Sequence, residues 1–349
     1  MGTKRPLNQR RAFRPVQQGF TLSSIGFVNS VADRVLVVAN PCAGARENPQ
    51  AVTDLVGALK RRALVPELVT DLNVLVELVN RYRAHGQLRA VIGAGGDGTI
   101  AEIVNRTSAE VPITVYPMGT ANLLANYFDI ERDPSTLAQT IVEGASLRMD
   151  AGRANGRIFL LMAGCGFDAD VVERLHRKRN SQHITYWTYA RPILDSIRSY
   201  RYPRLRVYCE TTAGSGWTSP PRHAGWAFFV NLPCYAGGLQ VAPDANGTDG
   251  LLDACTFSEG SFWHALRYLG YVALKRHRVL SDFHCSAILR ARIEADEPVP
   301  YQLDGDPGGT LPLEIEVLPQ RLNMIAPLAR LAALGHGSFA VAGSSAARA

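Results

Sequence analysis

Residues 90–105, AVIGAGGDGTIAEIVN, decide how this chain folds. Four small apolar residues, Ala90 to Gly93, predict a buried strand. Gly95, Gly96 and Gly98 then let the backbone turn sharply, and Thr99 to Val104 open a helix. A strand, a glycine turn and a helix N-terminus together aim unpaired backbone N–H groups at one spot, a geometry that suits a phosphate. Asp97 sits in the middle of that turn. A bare carboxylate repels a phosphate, so two readings stand. Asp97 holds a cation between itself and the phosphates, or it accepts hydrogen bonds as a turn-former and touches no ligand. The lysine of the Walker A pattern is absent.

Upstream, RVLVVANP at 34–41 reads as a buried strand ending in a turn, and residues 51–62 as a helix with Val52, Leu55, Val56 and Leu59 on one face. Pro66 to Thr70 is a second strand and Asn73 to Arg83 a second helix. This β-α-β-α-β order implies a parallel sheet with ligands bound outside the carboxyl ends of its strands, where Asn40 to Gly44, Thr70 and Gly95 to Thr99 all fall. Downstream, Ile113 to Tyr116 is a further strand, followed by the turn Pro117-Met118-Gly119-Thr120 and a short helix, Ala121 to Phe128. Thr120 caps that helix or bonds a phosphate. Pro134 to Glu143 is another helix, with proline at its start.

From Leu147 the texture changes to short runs such as RIFLLMAG, LRVYCE, GWAFFVN, LLDACTF, CSAILRARIE and PVPYQL, separated by Gly, Pro and Asp turns. These predict a mostly antiparallel sandwich or barrel, interrupted by helix near 168–200 and from Ser261 to about Arg276. Residues 174–206 carry nine Lys or Arg against one acid, Asp195, interleaved with Tyr186, Trp187, Tyr189, Tyr200 and Tyr202. That mixture suits anionic lipid headgroups or single-stranded nucleic acid, against the alternative of a solvated helix face.

At 349 residues the chain exceeds the usual size of one core, so two domains are expected. An apolar content of 46% with 19% charged residues excludes wholesale disorder, and a net charge of +6 points to an anionic partner without naming it. The cysteines at 42, 165, 209, 234, 255 and 285 are scattered, with no CxxC pair and no zinc spacing, and read as reduced thiols. No run of 18 apolar residues occurs and the first 20 lack a secretory core, so the expected location is cytoplasmic. The division implied is a flexible basic arm at 1–33, an α/β domain at 34–150 to which 321–327 returns, a β-sandwich domain at 151–320, and a mostly disordered tail at 328–349.

With these pieces read, the chain resembles the diacylglycerol kinase catalytic-domain family, with sphingosine and ceramide kinases as relatives. The resemblance runs from about Arg34 to Pro327. It rests on NPCAG at 40–44 against the family's NPxSG, GGDGT at 95–99, PMGTANLLA at 117–125, AGCGFDA at 163–169 and DGD at 304–306. GGDGT alone is shared with NAD kinases; the ordered set is specific. The resemblance implies a nucleotide-binding, parallel-sheet α/β domain followed by an antiparallel β-sandwich domain whose final strand returns to the first. Two departures matter: Asp304-Gly305-Asp306 stands where Asp-Gly-Glu is common, one methylene shorter, and Ala43 stands where serine is usual.

The activity implied is transfer of the γ-phosphate of ATP to a lipid alcohol, diacylglycerol giving phosphatidic acid, with ATP and Mg2+ as cofactors. By resemblance ATP is held by Asn40, Pro41, Cys42, Ala43, Gly44, Thr70, Gly95, Gly96, Asp97, Gly98, Thr99, Ile100, Ala101, Glu102, Gly119, Thr120 and Asn122. Asp97 faces the magnesium and phosphates, and Asp304 and Asp306 are the candidate bases. A second magnesium site maps to the Asp249 side chain and the Asn246 and Leu251 carbonyls, where a plain Asp-Gly turn is the alternative. The partners implied are a lipid substrate and an anionic membrane surface met peripherally through 174–206, with homodimerisation left open and nucleic acid not expected. A sphingoid-base or ceramide kinase, a NAD kinase and a catalytically inactive nucleotide-binding regulator are the alternatives.

Overall fold

The structure is a computed structural model that describes residues 25–39, 49–179, 199–234 and 239–334. The expectations for Asn40 to Gly44, and for most of the arm, the tail and the 174–206 stretch, lie outside these residues.

The described chain opens with a short strand, β1 (Ile25–Phe27), inside the stretch expected to be a flexible arm; it pairs antiparallel with residues 145–147. Arg89 ties down the segment that follows β1. Its buried guanidinium requires acceptors, and it donates to the carbonyls of Asn29 at 2.6 Å, Ile141 at 2.9 Å and Val142 at 2.6 Å. A strand this short has no hydrophobic period, so sequence pattern passes over it.

Next come β2 (Arg34–Ala39), α1 (Pro49–Arg61), β3 (Val65–Val69), α2 (Leu72–Ala84), β4 (Leu88–Gly95), α3 (Asp97–Arg106) and β5 (Pro112–Pro117), in the expected alternation. The strands pair in parallel in the order β3-β2-β4-β5, which puts the carboxyl ends of β4 and β5 side by side. Strand β4 is buried along its whole length. Its small residues are required by α3, because a side chain on Gly93 would run into Ile100. Helices α4 (Leu123–Tyr127) and α5 (Pro134–Glu143) follow, the latter capped by Asp133, which accepts from the Thr136 N–H at 2.6 Å.

Antiparallel pairing then takes over. Strands β6 (Ala145–Ala154), β7 (Arg157–Phe159) and β8 (Met162–Gly166) lead into α6 (Phe167–Arg179). Beyond it lie β9 (Leu205–Glu210), β10 (Arg222–Ala224), β11 (Trp226–Val230), β12 (Leu252–Phe257) and α7 (Phe262–Ala273). The chain continues through β13 (Phe283–Ile288), β14 (Arg290–Glu294), β15 (Pro300–Leu303), β16 (Asp306–Thr310), β17 (Leu313–Ile325) and α8 (Leu328–Leu334). One sheet is antiparallel throughout, in the order β13-β12-β11-β8-β15-β16. The other antiparallel strands do not stand apart from the parallel ones: β17, β14, β9 and β10, together with β6, β1 and β7, extend the first sheet into 11 strands. Strand β17 makes that join. Its start pairs antiparallel with β14, and Asn323 and Met324 at its end pair parallel with β5, with a register shift between Leu318 and Leu322 dividing the two.

The stretch expected to be tail begins as helix α8. Leu331 is buried, and Arg330 donates to the Tyr127 carbonyl at 2.6 Å and lies 3.4 Å from Asp129. Cys255 and Cys285 face each other across β12 and β13 with their sulfurs 2.7 Å apart, a proximity that their spacing in sequence conceals.

Asp168, in the first turn of α6, is 5% exposed and accepts from the Gln302 amide at 3.0 Å. Burial raises its pKa from 3.8 to about 6, against the lowering effect of that hydrogen bond. The folded protein binds this proton more tightly than the unfolded chain, so the group's contribution to stability falls as pH rises from 3.8 to about 6. Asp168→Asn keeps an acceptor for Gln302 and cannot ionise. Its stability relative to wild type is expected to rise by about 2 kcal/mol between pH 4 and pH 7. Urea midpoints across that range check this, and a constant difference would contradict it.

Candidate active site

Three segments converge at the carboxyl edge of β4 and β5. The first is the glycine turn. Gly96 precedes α3 in extended conformation and accepts from the Thr99 N–H at 3.0 Å, while Thr99 is buried over Gly95, where no side chain would fit. The opening N–H groups of a helix have no partner within it, so α3 presents donors at this edge.

The second segment is the turn after β5. A side chain on Gly119 would begin 2.6 Å from the Gly96 Cα, so the two turns meet backbone to backbone and expose amides rather than side chains. Asn122, left-handed at φ 46°, clamps this turn. Its Oδ1 accepts from the Gly119 N–H at 2.9 Å and its amide donates to the Gly119 carbonyl at 2.8 Å. A cleft of about 590 Å³ opens beside it, lined by Pro117, Gly119, Asn122, Asn126, Asp129 and Arg132.

Asp97 links the first two segments. Its Oδ2 accepts from the Leu123 N–H and its Oδ1 from the Leu124 N–H, both at 2.9 Å. Thr120 does not cap the helix, because α4 begins two residues after the expected start and Asp97 takes its amides. A cap supplied from so far back in the chain has no sequence signature. Burial raises the Asp97 pKa, and the two amides oppose that rise.

The third segment is the hairpin between β15 and β16. Asp304, left-handed at φ 51°, accepts from the N–H groups of Leu160 at 2.7 Å, Leu161 at 2.8 Å and Met162 at 3.0 Å. Burial raises its pKa to about 6 against these three bonds, and the negative charge of Asp97 adds to the rise. Asp306 differs. Its carboxylate accepts no hydrogen bond among the described residues, and its Oδ2 lies 3.5 Å from where a side chain on Gly98 would begin. The last acid of the chain's motifs therefore faces the glycine turn.

Of the other expected contacts, Thr70 is exposed just beyond β3 at the same edge. Ile100 and Ala101 turn their side chains into the core and can offer a ligand only main-chain atoms. Glu102 lies 3.2 Å from Arg106 and 3.8 Å from Arg157, a partly exposed ion cluster on the face of α3. In the 174–206 stretch, Arg174 pairs with Asp170, Arg177 with Glu173 and Arg206 with Asp296, so part of its charge is already met.

The loop from Asn246 to Leu251 is an ordered Asx turn. The Thr248 N–H and hydroxyl donate to Asn246 Oδ1 at 3.2 and 2.8 Å, and the Leu251 N–H to Asp249 Oδ1 at 3.1 Å. Its carboxylate and carbonyls are all hard oxygen donors, the chemistry that magnesium takes, although no group of three or more His, Cys, Asp or Glu that could hold a metal occurs among the described residues.

Sequence reading passed over Asp150. It is buried, with Oδ1 accepting from the Gln320 N–H at 2.8 Å and Oδ2 from the Gly250 N–H at 2.7 Å, so it ties the 246–251 loop to β17. Burial lifts its pKa to about 6. The available signal was an acid between two apolar residues, Met149 and Ala151, in the strand LRMDAG. Gln302 was missed too; its Oε1 accepts from the Gly305 N–H at 2.8 Å and holds the Asp304 to Asp306 turn.

Comparison with known proteins matches this arrangement on both sides. Residues 34–154 match the diacylglycerol kinase catalytic domain, and residues 162–326 match the YegS C-terminal NAD kinase beta sandwich-like domain. A diacylglycerol kinase of Mycobacterium tuberculosis is 27% identical over 84% of this chain and 95% of its own length. One from Bacillus subtilis is 26% identical over 68% of this chain and 77% of its own. The crystal structure of a diacylglycerol kinase from Bacillus anthracis superposes with a TM-score of 0.63 at 22% identity, over 85% of this chain and 98% of that one, and shows the shared fold. The two domain matches in succession, carried on one chain whose closing acid lies beside the glycine turn, identify the chain as a lipid kinase enzyme with a diacylglycerol kinase catalytic domain at 34–154.

Proposed function

We propose that this protein transfers the γ-phosphate of ATP to the primary hydroxyl of diacylglycerol, giving phosphatidic acid. The observation that carries the reading is the approach of Asp306 to Gly98. It sets a carboxylate that accepts no hydrogen bond among the described residues beside the glycine turn, whereas Asp97 and Asp304 spend theirs on main-chain amides.

Bound ATP with magnesium supplies the phosphoryl group and the charge neutralisation that its transfer needs. The chain's own residues then have separate tasks. The main chain of Gly95 to Thr99 and of Gly119, packed backbone to backbone, fits the close approach of phosphates, with the cleft beside Asn122 receiving the rest of the nucleotide. Asp97 fixes the two turns relative to one another and brings negative charge that suits a cation on the phosphates. Asp306 Oδ2 accepts the proton of the acceptor hydroxyl as the new P–O bond forms. A carboxylate is far less basic than an alkoxide, so it need only be within hydrogen-bond reach. Asp304 is a positioning residue, spending its carboxylate on Leu160, Leu161 and Met162. Asp249 with the Asn246 and Leu251 carbonyls would hold a structural magnesium ion, kept in place through Asp150.

A NAD kinase is the second reading, favoured by the match of residues 162–326 to a domain described as NAD kinase sandwich-like. Labelled ATP offered with diacylglycerol, monoacylglycerol, sphingosine, ceramide, a polyprenol and NAD separates the readings. Label in phosphatidic acid is expected. Label in NADP alone would overturn the lipid reading, and label in a sphingolipid alone would move it to that acceptor.

A further inference from the structure

Helix α7 is apolar on two sides. One side belongs to the core: Ala265, Tyr268 and Val272 are buried, and the Tyr268 ring lies 5.5 Å from Trp226 and 4.5 Å from Phe257. The other side faces out. Trp263 is 74% exposed, Leu266 and Phe262 are exposed beside it, and Leu274, just past the helix end, is 70% exposed. Positions 263, 266, 270 and 274 follow the helical period, so these side chains form one stripe. A contiguous apolar stripe on a surface marks a partner.

Charge identifies the partner. Lys275 and Arg276 follow the stripe, both exposed and without an acid partner among the described residues. Their neighbours are satisfied, Arg267 by Asp282 and Arg278 by Asp244 at 2.7 Å. Tryptophan and phenylalanine at one end of a stripe and unmet cations at the other is the composition that settles at the headgroup boundary of an anionic bilayer. A second copy of the chain would bring the same two cations, Lys275 and Arg276, against these.

We propose that α7 seats the protein on anionic membranes, with Trp263, Leu266 and Leu274 entering the headgroup boundary and Lys275 and Arg276 meeting lipid phosphates. The purpose of such a surface rests on the lipid-kinase reading, since the acceptor resides in a bilayer; the adsorption itself does not. In the 174–206 stretch, by contrast, Arg174, Arg177 and Arg206 already have acidic partners.

The test is sedimentation of the full chain, without nucleotide, with phosphatidylcholine vesicles and with vesicles of phosphatidylcholine and phosphatidylglycerol. Wild type is expected to sediment with the anionic vesicles and to be released by salt. The double variant Trp263→Ser, Leu266→Ser should partition at least about tenfold more weakly, and Lys275→Gln with Arg276→Gln should lose the preference for phosphatidylglycerol. Brominated lipid should quench wild-type fluorescence more than that of Trp263→Phe. All variants should match wild type on a short-chain, water-dispersed diacylglycerol. No vesicle binding by wild type, unchanged partition of the double variant, or loss of a dimer in sedimentation equilibrium with partition unaltered would each overturn the proposal. Absence of turnover on the dispersed lipid with vesicle binding intact would instead count against the kinase reading.

Discussion

Asp306→Asn is expected to lower turnover at least about 100-fold, the contribution of a positioned general base, while leaving the thermal midpoint unchanged. The carboxylate accepts no hydrogen bond among the described residues, so converting it to an amide removes basicity and almost no structure. Asp306→Glu should retain activity, because the longer acid is the family's usual residue and the position beside Gly98 is partly open to solvent. Asp304→Asn should do the reverse. It leaves one of the N–H groups of Leu160, Leu161 and Met162 facing an amide donor, at a cost of about 1–3 kcal/mol of stability, and activity falls through the displaced hairpin. Turnover and melting temperature measured on the same preparations separate the two roles. Full activity in Asp306→Asn with loss in Asp304→Asn at unchanged stability would exchange them.

Asp97→Asn is expected to fail in both respects. The amide keeps one acceptor and turns an NH2 toward the N–H of Leu123 or Leu124, so the turn that begins at Gly119 loosens by about 1–3 kcal/mol. The site also loses a negative charge beside the phosphate-facing turn, and turnover should drop by at least about 100-fold. Thermal melting with and without ATP and magnesium checks this. A variant with normal stability and normal turnover would remove Asp97 from the account.

The alternation around β4 was legible because helices and strands there carry their own periodicity and glycines. The glycine turn, the turn after β5 and the closing DGD could each be found as local patterns. What sequence could not give was their division of labour. Asp97 serves as the cap of a helix that is preceded by Thr120, a good capping residue left outside it, and Asp150 holds a loop and a strand bulge that lie far along the chain. Both are contacts of high sequence separation made by single carboxylates, and neither leaves a local signature. The joining of β14, β9 and β10 to the parallel strands was hidden for the same reason, since strand runs announce their existence and not their neighbours. The segment after β1 is tied down by Arg89, a charge whose burial is a tertiary fact.

In this mechanism Asp306 works as the base against a nucleotide held by the glycine turn. Its most direct test is to titrate ATP with magnesium into wild type and Asp306→Asn, then add dispersed diacylglycerol to the same samples and follow labelled phosphatidic acid. Equal nucleotide affinity in both proteins, with phosphatidic acid formed by wild type alone, is the predicted result; phosphatidic acid formed by Asp306→Asn at the wild-type rate would contradict it.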